Sequence, residues 1–344
     1  MDSSGQIRRR QMRENVSGAR SDAGHMARVI RRRVLHDVKA VANTWARART
    51  PAPTPASVVF LRSGGKEGGA PWPAFPPRGY LGQLEPAFQA KLASERASVE
   101  LEDCSFYHTA SLSNGDVVRG PWDLRGAESA YLGNINVAGD RVLELGPATG
   151  ALTYYMEDEG AEVVSFDIGF DVCADILPKP GVDEREQQMS FMGMVAQVQN
   201  SWWYLHKDRG SRAKVAYGNI YDMPGDLGTF DTSVFGAILL HLRDPFLAMQ
   251  QAAARTSRRI VVTDALQDPT LNRDKNLLRF ASAGFDNLTI WWTLTPGTIQ
   301  RMLRHLGFDR LTTTYSSHLH YLAHDMSKEP VEMAMFTVVG ERSP

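Results

Sequence analysis

The sequence predicts an α/β fold, a doubly wound and mostly parallel sheet, on three observations. From residue 139 onward, short apolar strands alternate with helical segments, the pattern of a parallel sheet covered on both faces. A glycine-bounded loop, Gly146-Pro147-Ala148-Thr149-Gly150, joins the first of these strands to the first helix, where such sheets bind ligands. The end of the chain breaks the alternation with two β-rich segments, which predict an antiparallel hairpin at one edge of the sheet.

The 344 residues, 43% apolar and 22% charged, suffice for one large domain with additions or for two domains. No stretch approaches the ~20 apolar residues of a membrane span, and the opening residues lack the apolar run of a secretory leader. Cys104 and Cys173 are the only cysteines, too few for a disulfide framework, so a cytoplasmic setting is expected. Charge is uneven. Residues 1–50 carry eleven Arg and one Lys against four acids, a net of +8, and the remainder carries −9. A basic arm precedes a mildly acidic body; such an arm binds nucleic acid or anionic lipid, or is a solvated tail.

The elements follow in chain order. Residues 1–78 form the arm and a Pro/Gly-rich linker, with one basic amphipathic helix suggested by the spacing of Val29, Ile30, Val34, Val38, Val41 and Trp45. Residues 79–138 predict a helix near 84–97 and a hairpin from 106–112 through the Asn114-Gly115-Asp116 turn, a lid-like N-terminal extension. The body, 139–344, reads as strand 141–145, helix 151–159, strand 161–166, long helix 184–206, strand 213–217, strand 232–239, helix 245–254 and strand 259–263. Segment 267–294 is too long for a plain connector and carries Phe280, Phe285, Trp291 and Trp292, the marks of an insertion that caps a substrate pocket. Thr295 and Pro296 open a helix that Gly307 stops. The hairpin segments lie near 309–322 and 332–340.

Chemistry concentrates at two strand ends. Glu144 ends the first strand, where a carboxylate accepts hydrogen bonds from a cationic ligand. Asp167 ends the second, placed to accept both hydroxyls of a ribose. Dinucleotide dehydrogenases share a glycine loop and an acid at similar distance. Here the loop lacks their middle glycine, and Glu144 would repel a pyrophosphate, so an amine or sulfonium fits better.

With these segments, Gly218-Asn219-Ile220-Tyr221-Asp222 and the Phe230–Pro245 run with Leu240-His241-Leu242-Arg243-Asp244-Pro245, the chain resembles the class I S-adenosylmethionine-dependent methyltransferases over about 139–265. The resemblance implies S-adenosylmethionine as cofactor. It implies that Gly146, Pro147 and Gly150 border its methionine part, that Glu144 faces its amino group and that Asp167 holds its ribose. Asn219 and the Ile220 N–H would meet the adenine, and Gly236 would line the same cleft. Asn219 and Ala148 depart from the family's usual Asp and Gly. The segment Phe106-Tyr107-His108-Thr109 through Trp122-Asp123-Leu124-Arg125 is similar to a subgroup that includes transferases modifying wobble uridine in tRNA and enzymes of small metabolites. It implies that Tyr107 and Trp122 cover the cofactor and its acceptor.

A hydroxyl acceptor needs a base, and His241, at the end of the fourth strand, is the first candidate, with His108 the second. Trp291 and Trp292 are candidate walls for a partly apolar acceptor. His318, His320 and His324 invite a zinc reading, but only Asp325 could complete a set, and a surface strand with no metal is expected. The expected function is O-methylation of a small molecule, with tRNA modification as the alternative. No oligomeric state follows from the sequence.

Overall fold

The computed structural model describes residues 99–343, apart from 170–171, 179–180, 182, 267–272, 281–287 and 322–325, and the side chain of Asp226. The basic arm, the linker, the helix expected at 84–97, Phe285, His324 and Asp325 lie outside the described residues. All described residues belong to one compact unit, Ala70–Pro344.

Twelve strands and five α-helices are described. The strands are β1 Ala110–Ser111, β2 Val117–Val118, β3 Trp122–Asp123, β4 Arg141–Leu145, β5 Glu162–Ile168, β6 Lys214–Gly218, β7 Phe230–Gly236, β8 Thr256–Ala265, β9 Leu278–Phe280, β10 Trp292–Leu294, β11 Arg310–His320 and β12 Val331–Glu341. The helices are α1 Glu128–Tyr131, α2 Ala151–Asp158, α3 Glu184–Arg209, α4 Pro245–Ala253 and α5 Pro296–His305. Helix starts follow local chemistry. Asp183, Asp244 and Thr295 cap α3, α4 and α5 by accepting the N–H groups of Glu186, Leu247 and Thr298. Proline supplies the first residue of α4 and α5, where its missing N–H costs nothing. Gly210, left-handed at φ +62°, ends α3.

The main sheet has the order β3-β11-β12-β8-β7-β4-β5-β6. The β8-β7-β4-β5-β6 block is parallel, and β12 runs antiparallel to both β8 and β11. Strand order reverses at β4, so the binding crevice of this architecture lies beyond its carboxyl end. Both faces of the sheet are buried. Leu143, Leu145, Phe166, Ile260 and Val262 pack with α4 and α5 through Ala248, Met249, Ile299 and Leu303. Val142, Val163, Val234 and Val261 pack with α1, α2 and α3 through Tyr131, Leu152, Met156 and Trp202.

Three expectations need correction. The strand expected over 106–112 shrinks to β1, because residues 106–109 reach instead toward the glycine loop. The C-terminal hairpin is not the sheet edge: β3 pairs outside it, with Trp122 opposite His320. The fourth strand ends at Gly236 and continues as a 3-10 turn, Leu239–His241. β11 lies at the surface as expected, with His318 its one buried residue, packed edge-on against Tyr131 of α1. No described helix is long and apolar enough to cross a membrane.

Candidate active site

The loop after β4 is a tight turn. Gly146 takes φ +70° and donates its N–H to the Phe166 carbonyl at 2.9 Å; the Pro147 carbonyl accepts the Gly150 N–H at 2.8 Å. Gly150, at φ +86°, opens α2. A Cβ on Gly146 would lie 2.3 Å from Ile238 Cδ1, and one on Gly150 would lie 2.5 Å from Tyr154. Both glycines hold a positive φ that strains any side chain, and at Gly150 the rings of Tyr154 and Trp202 also leave no room for one. Ala148 adopts φ +49°, a left-handed conformation costing a side-chain-bearing residue roughly 1–2 kcal/mol. Ala148→Gly relieves that strain and loses part of the gain to unfolded-chain entropy. A rise in Tm of roughly 1–3 °C in a thermal melt is expected; a fall would show that the strain is not there.

Three buried or half-buried carboxylates stand at the carboxyl edge of the sheet without an ion-pair partner among the described residues: Glu144, Asp167 and Asp264. At the opposite edge the buried acid Asp140 is paired, at 2.6 Å, with Arg259. Buried carboxylates that lack a cation mark a place where a ligand completes the charge balance.

Glu144, 2% exposed, accepts hydrogen bonds from the hydroxyls of Thr153 and, at 2.9 Å, Ser165. Trp202 Nε1 in turn donates to Thr153 Oγ1 at 3.2 Å. Burial pushes the Glu144 acid up to about 7, against the pull of those donors, with the Asp167 charge adding to the rise. Ser165 lies opposite Glu144 in the parallel register. Asp167 is two residues farther along the same face, which puts the two acids ~8 Å apart at the backbone. Asp167 accepts the Ile168 N–H at 2.9 Å and Gln199 Nε2 at 3.0 Å, and burial raises its pKa.

Asp264, 1% exposed near the end of β8, was not singled out from the sequence. Its Oδ1 accepts the Ala265 N–H at 2.7 Å, and its Oδ2 has no partner. Burial pushes its acid up to about 7, opposed by the Ala265 and Leu240 N–H groups. The unfolded acid ionises near ~4. Its contribution therefore favours the fold fully below that pH and is lost as pH rises toward 7. Asp264→Asn is expected to raise Tm at pH 8 by about 5 °C over the parent, with the gap closing near pH 4. Equal shifts at both pH values would refute the buried-acid account.

The N-terminal extension reaches the loop. The His108 N–H donates to Thr149 Oγ1 at 3.2 Å, and His108 Nδ1 meets the same oxygen at 3.0 Å. Burial pushes His108 down to about 4, so it holds the loop as a neutral ring. Tyr107 stands edge-on to His108, with centroids 5.0 Å apart, and is hydrogen-bonded to Trp122. Trp122 packs on His320 at 4.3 Å, at the sheet edge. Gly236 is bordered by Leu152 and Tyr131. Asn219 Oδ1 accepts the Tyr221 N–H at 2.9 Å, so the oxygen expected to face adenine also closes its own turn. Ile220 packs on the core.

His241 Nδ1 lies 2.7 Å from the Thr289 carbonyl. A carbonyl only accepts, so Nδ1 carries the proton and Nε2 keeps the lone pair. Burial lowers the His241 pKa. Asp244, not His241, caps α4. Trp291 and Trp292 close over this turn. Trp291 N–H donates to the Leu240 carbonyl at 2.8 Å, its Nε1 to the Asp175 carbonyl at 3.0 Å, and Trp292 Nε1 to the Leu242 carbonyl at 2.9 Å. With the Leu177 N–H on the Leu288 carbonyl at 2.7 Å, these bonds strap the loop after β5 to the insertion. Two surface hollows lie elsewhere, against β1, one lined by Asp123, Arg125 and His318 and the other by Glu157, Asp208 and Arg212.

A family model described as a methyltransferase domain matches residues 125–313. Among solved structures, the N-terminal domain of EvdMO1 with bound S-adenosylhomocysteine is 15% identical at a TM-score of 0.42, covering 74% of this chain and 97% of its own. The 1,6-didemethyltoxoflavin-N1-methyltransferase of Burkholderia thailandensis is 15% identical at 0.40, over 64% and 78%. The magnesium protoporphyrin IX methyltransferase of Synechocystis PCC 6803 is 13% identical at 0.37, over 64% and 78%. No curated protein matches the chain.

Proposed function

The chain belongs to the methyltransferase domain family, matched over more than half its length; from that premise we propose that it is an S-adenosylmethionine-dependent methyltransferase that methylates an oxygen of a small-molecule acceptor. The observation that supports the cofactor part of this reading is the pair of carboxylates at the carboxyl edge, Glu144 and Asp167 on one face of adjacent strands, without an ion-pair partner among the described residues. The residues fit the cofactor: two acids for a ligand with a cationic and a hydroxylic end.

In this reading Glu144 faces the amino group, Asp167 takes the ribose hydroxyls, and Asn219 with the Ile220 N–H meets the adenine. Gly146, Pro147, Gly150 and Gly236 shape the cleft. Tyr107 and Trp122 cover it, and Trp291 and Trp292 wall the acceptor. When bound, the cofactor supplies a methyl group activated by the sulfonium charge. The protein's part is alignment and desolvation of the nucleophile, and His241 Nε2 takes the acceptor proton. The −9 charge outside the arm disfavours a long RNA track. The +8 arm supports the second reading, transfer to wobble uridine in tRNA. A cytoplasmic setting accords with both.

The test is isothermal titration with S-adenosylmethionine, followed by incubation with methyl-labelled cofactor and either a metabolite extract or bulk tRNA. Binding and label in the small-molecule fraction are expected. Label in tRNA would establish the second reading, and absence of binding would overturn both.

A further inference from the structure

We propose that Trp202 is a positioning residue of the cofactor site: through Thr153 it keeps the Glu144 carboxylate aimed and charged, so that the crevice selects a ligand bearing a cationic amine. The proposal rests on the reading that this crevice takes S-adenosylmethionine with Glu144 toward its amino group. Trp202 lies on α3, 49 residues from Thr153 on α2, and both are buried. Three rings hold the indole. His206 stacks on it with centroids 5.0 Å apart, Trp203 meets it edge-on at 5.0 Å, and Tyr154 lies at 5.9 Å. The direction of the indole N–H is thereby fixed, and it donates to Thr153 Oγ1 at 3.2 Å.

Donors and acceptors then dictate where the protons lie. An indole N–H only donates, so Thr153 Oγ1 accepts it and turns its own proton outward. That proton has two takers, Glu144 Oε2 and, at 3.2 Å, Ser165 Oγ. The Ser165 hydroxyl, also buried, donates to the same Oε2 at 2.9 Å. With the acid ionised, each donor in the series Trp202, Thr153, Glu144 has its acceptor, and the bonds strengthen one another. A proton on Oε2 would oblige one hydroxyl to turn away inside a sealed site, which is costly. The series thus opposes burial, which pushes the Glu144 acid up to about 7. Among the described residues, the titratable groups coupled to Glu144 are Asp167 on β5, Tyr131 on α1 and Tyr154 on α2. Burial holds both phenols well above their ordinary range, so they stay neutral. Burial also lowers the pKa of His206, behind Trp202.

The experiment is calorimetric titration of the full chain at pH 6.5 and pH 8.5 with two probes. S-adenosylhomocysteine carries the amine; 5′-methylthioadenosine is the same nucleoside thioether without the amino-acid portion. The ratio of their affinities cancels Asp167, which both meet through the ribose, and the titration of the ligand is common to every variant. Trp202→Phe keeps an aromatic ring and removes the N–H. It is expected to lower that ratio by about 5- to 10-fold at pH 6.5 and by under about 2-fold at pH 8.5, where the acid ionises without help. Thr153→Val, a smaller change that removes the relaying hydroxyl, should lower it at least as much, and Thr153→Ser should keep the parent's ratio. An equal fall in both affinities, or the same fall at both pH values, would make Trp202 a packing residue and overturn the proposal. Should Trp202→Phe fail to fold in a thermal melt, Thr153→Val decides, and a parental ratio in that variant overturns the proposal. A parent that binds neither probe would overturn the cofactor assignment of this crevice itself, a failure distinct from the others.

Discussion

Asp167→Ala is expected to weaken S-adenosylhomocysteine binding by about 100-fold or more. Two hydroxyl-to-carboxylate bonds would be lost, each worth roughly 1.5–3 kcal/mol when the acceptor is charged. The substitution also frees Gln199 Nε2, which now donates to Asp167 Oδ2, and so leaves a second buried group short of a partner. Calorimetric titration reads the affinity, and a thermal melt without ligand separates it from unfolding. A loss under about 5-fold, with the fold intact, would remove Asp167 from the ribose site. Because burial holds the Asp167 acid above its ordinary range, wild-type affinity should also fall on acidification, as the carboxylate gains a proton and loses acceptor strength. Asp167→Ala should weaken that dependence and leave the part due to Glu144, whose acid burial pushes up to about 7.

His241→Ala is expected to lower turnover by about 10²- to 10⁴-fold, the range for a positioned general base, with cofactor affinity within about 2-fold of the parent. The geometry points to Nε2 as the working atom, since Nδ1 is committed to the Thr289 carbonyl. Burial lowers the ring's pKa, so the neutral, proton-accepting form persists to lower pH than for an exposed histidine. The measurement is transfer of labelled methyl to whichever acceptor the extract screen identifies, with a pH profile. The wild-type acid limb should vanish in His241→Ala. Equal losses in turnover and cofactor affinity would instead make His241 a holder of the 288–292 segment.

Much of the fold was legible because its signals are local. Caps at Asp244 and Thr295, prolines at the helix starts and the glycines of the 146–150 loop act within a few residues of themselves. Strand-terminal acids were legible for the same reason. Asp264, which ends Ile260-Val261-Val262-Thr263-Asp264, carried the same signal as Asp167 and could have been read from it. Gln199 could not: within an amphipathic helix a glutamine has no local mark of a buried role. The grip of His108 on Thr149, 41 residues away, was equally silent.

The strand-and-helix alternation, the reversal loop after β4 and the two acids at neighbouring strand tips were set by the sequence alone, because periodicity and turn chemistry are short-range properties. Tertiary structure decided the rest. It inserted β12 between β8 and β11, moved β3 outside the hairpin and brought Gln199 onto Asp167. Those outcomes come from burying apolar surface and satisfying polar groups between segments far apart in the chain, and such pairings leave no periodic trace in either partner.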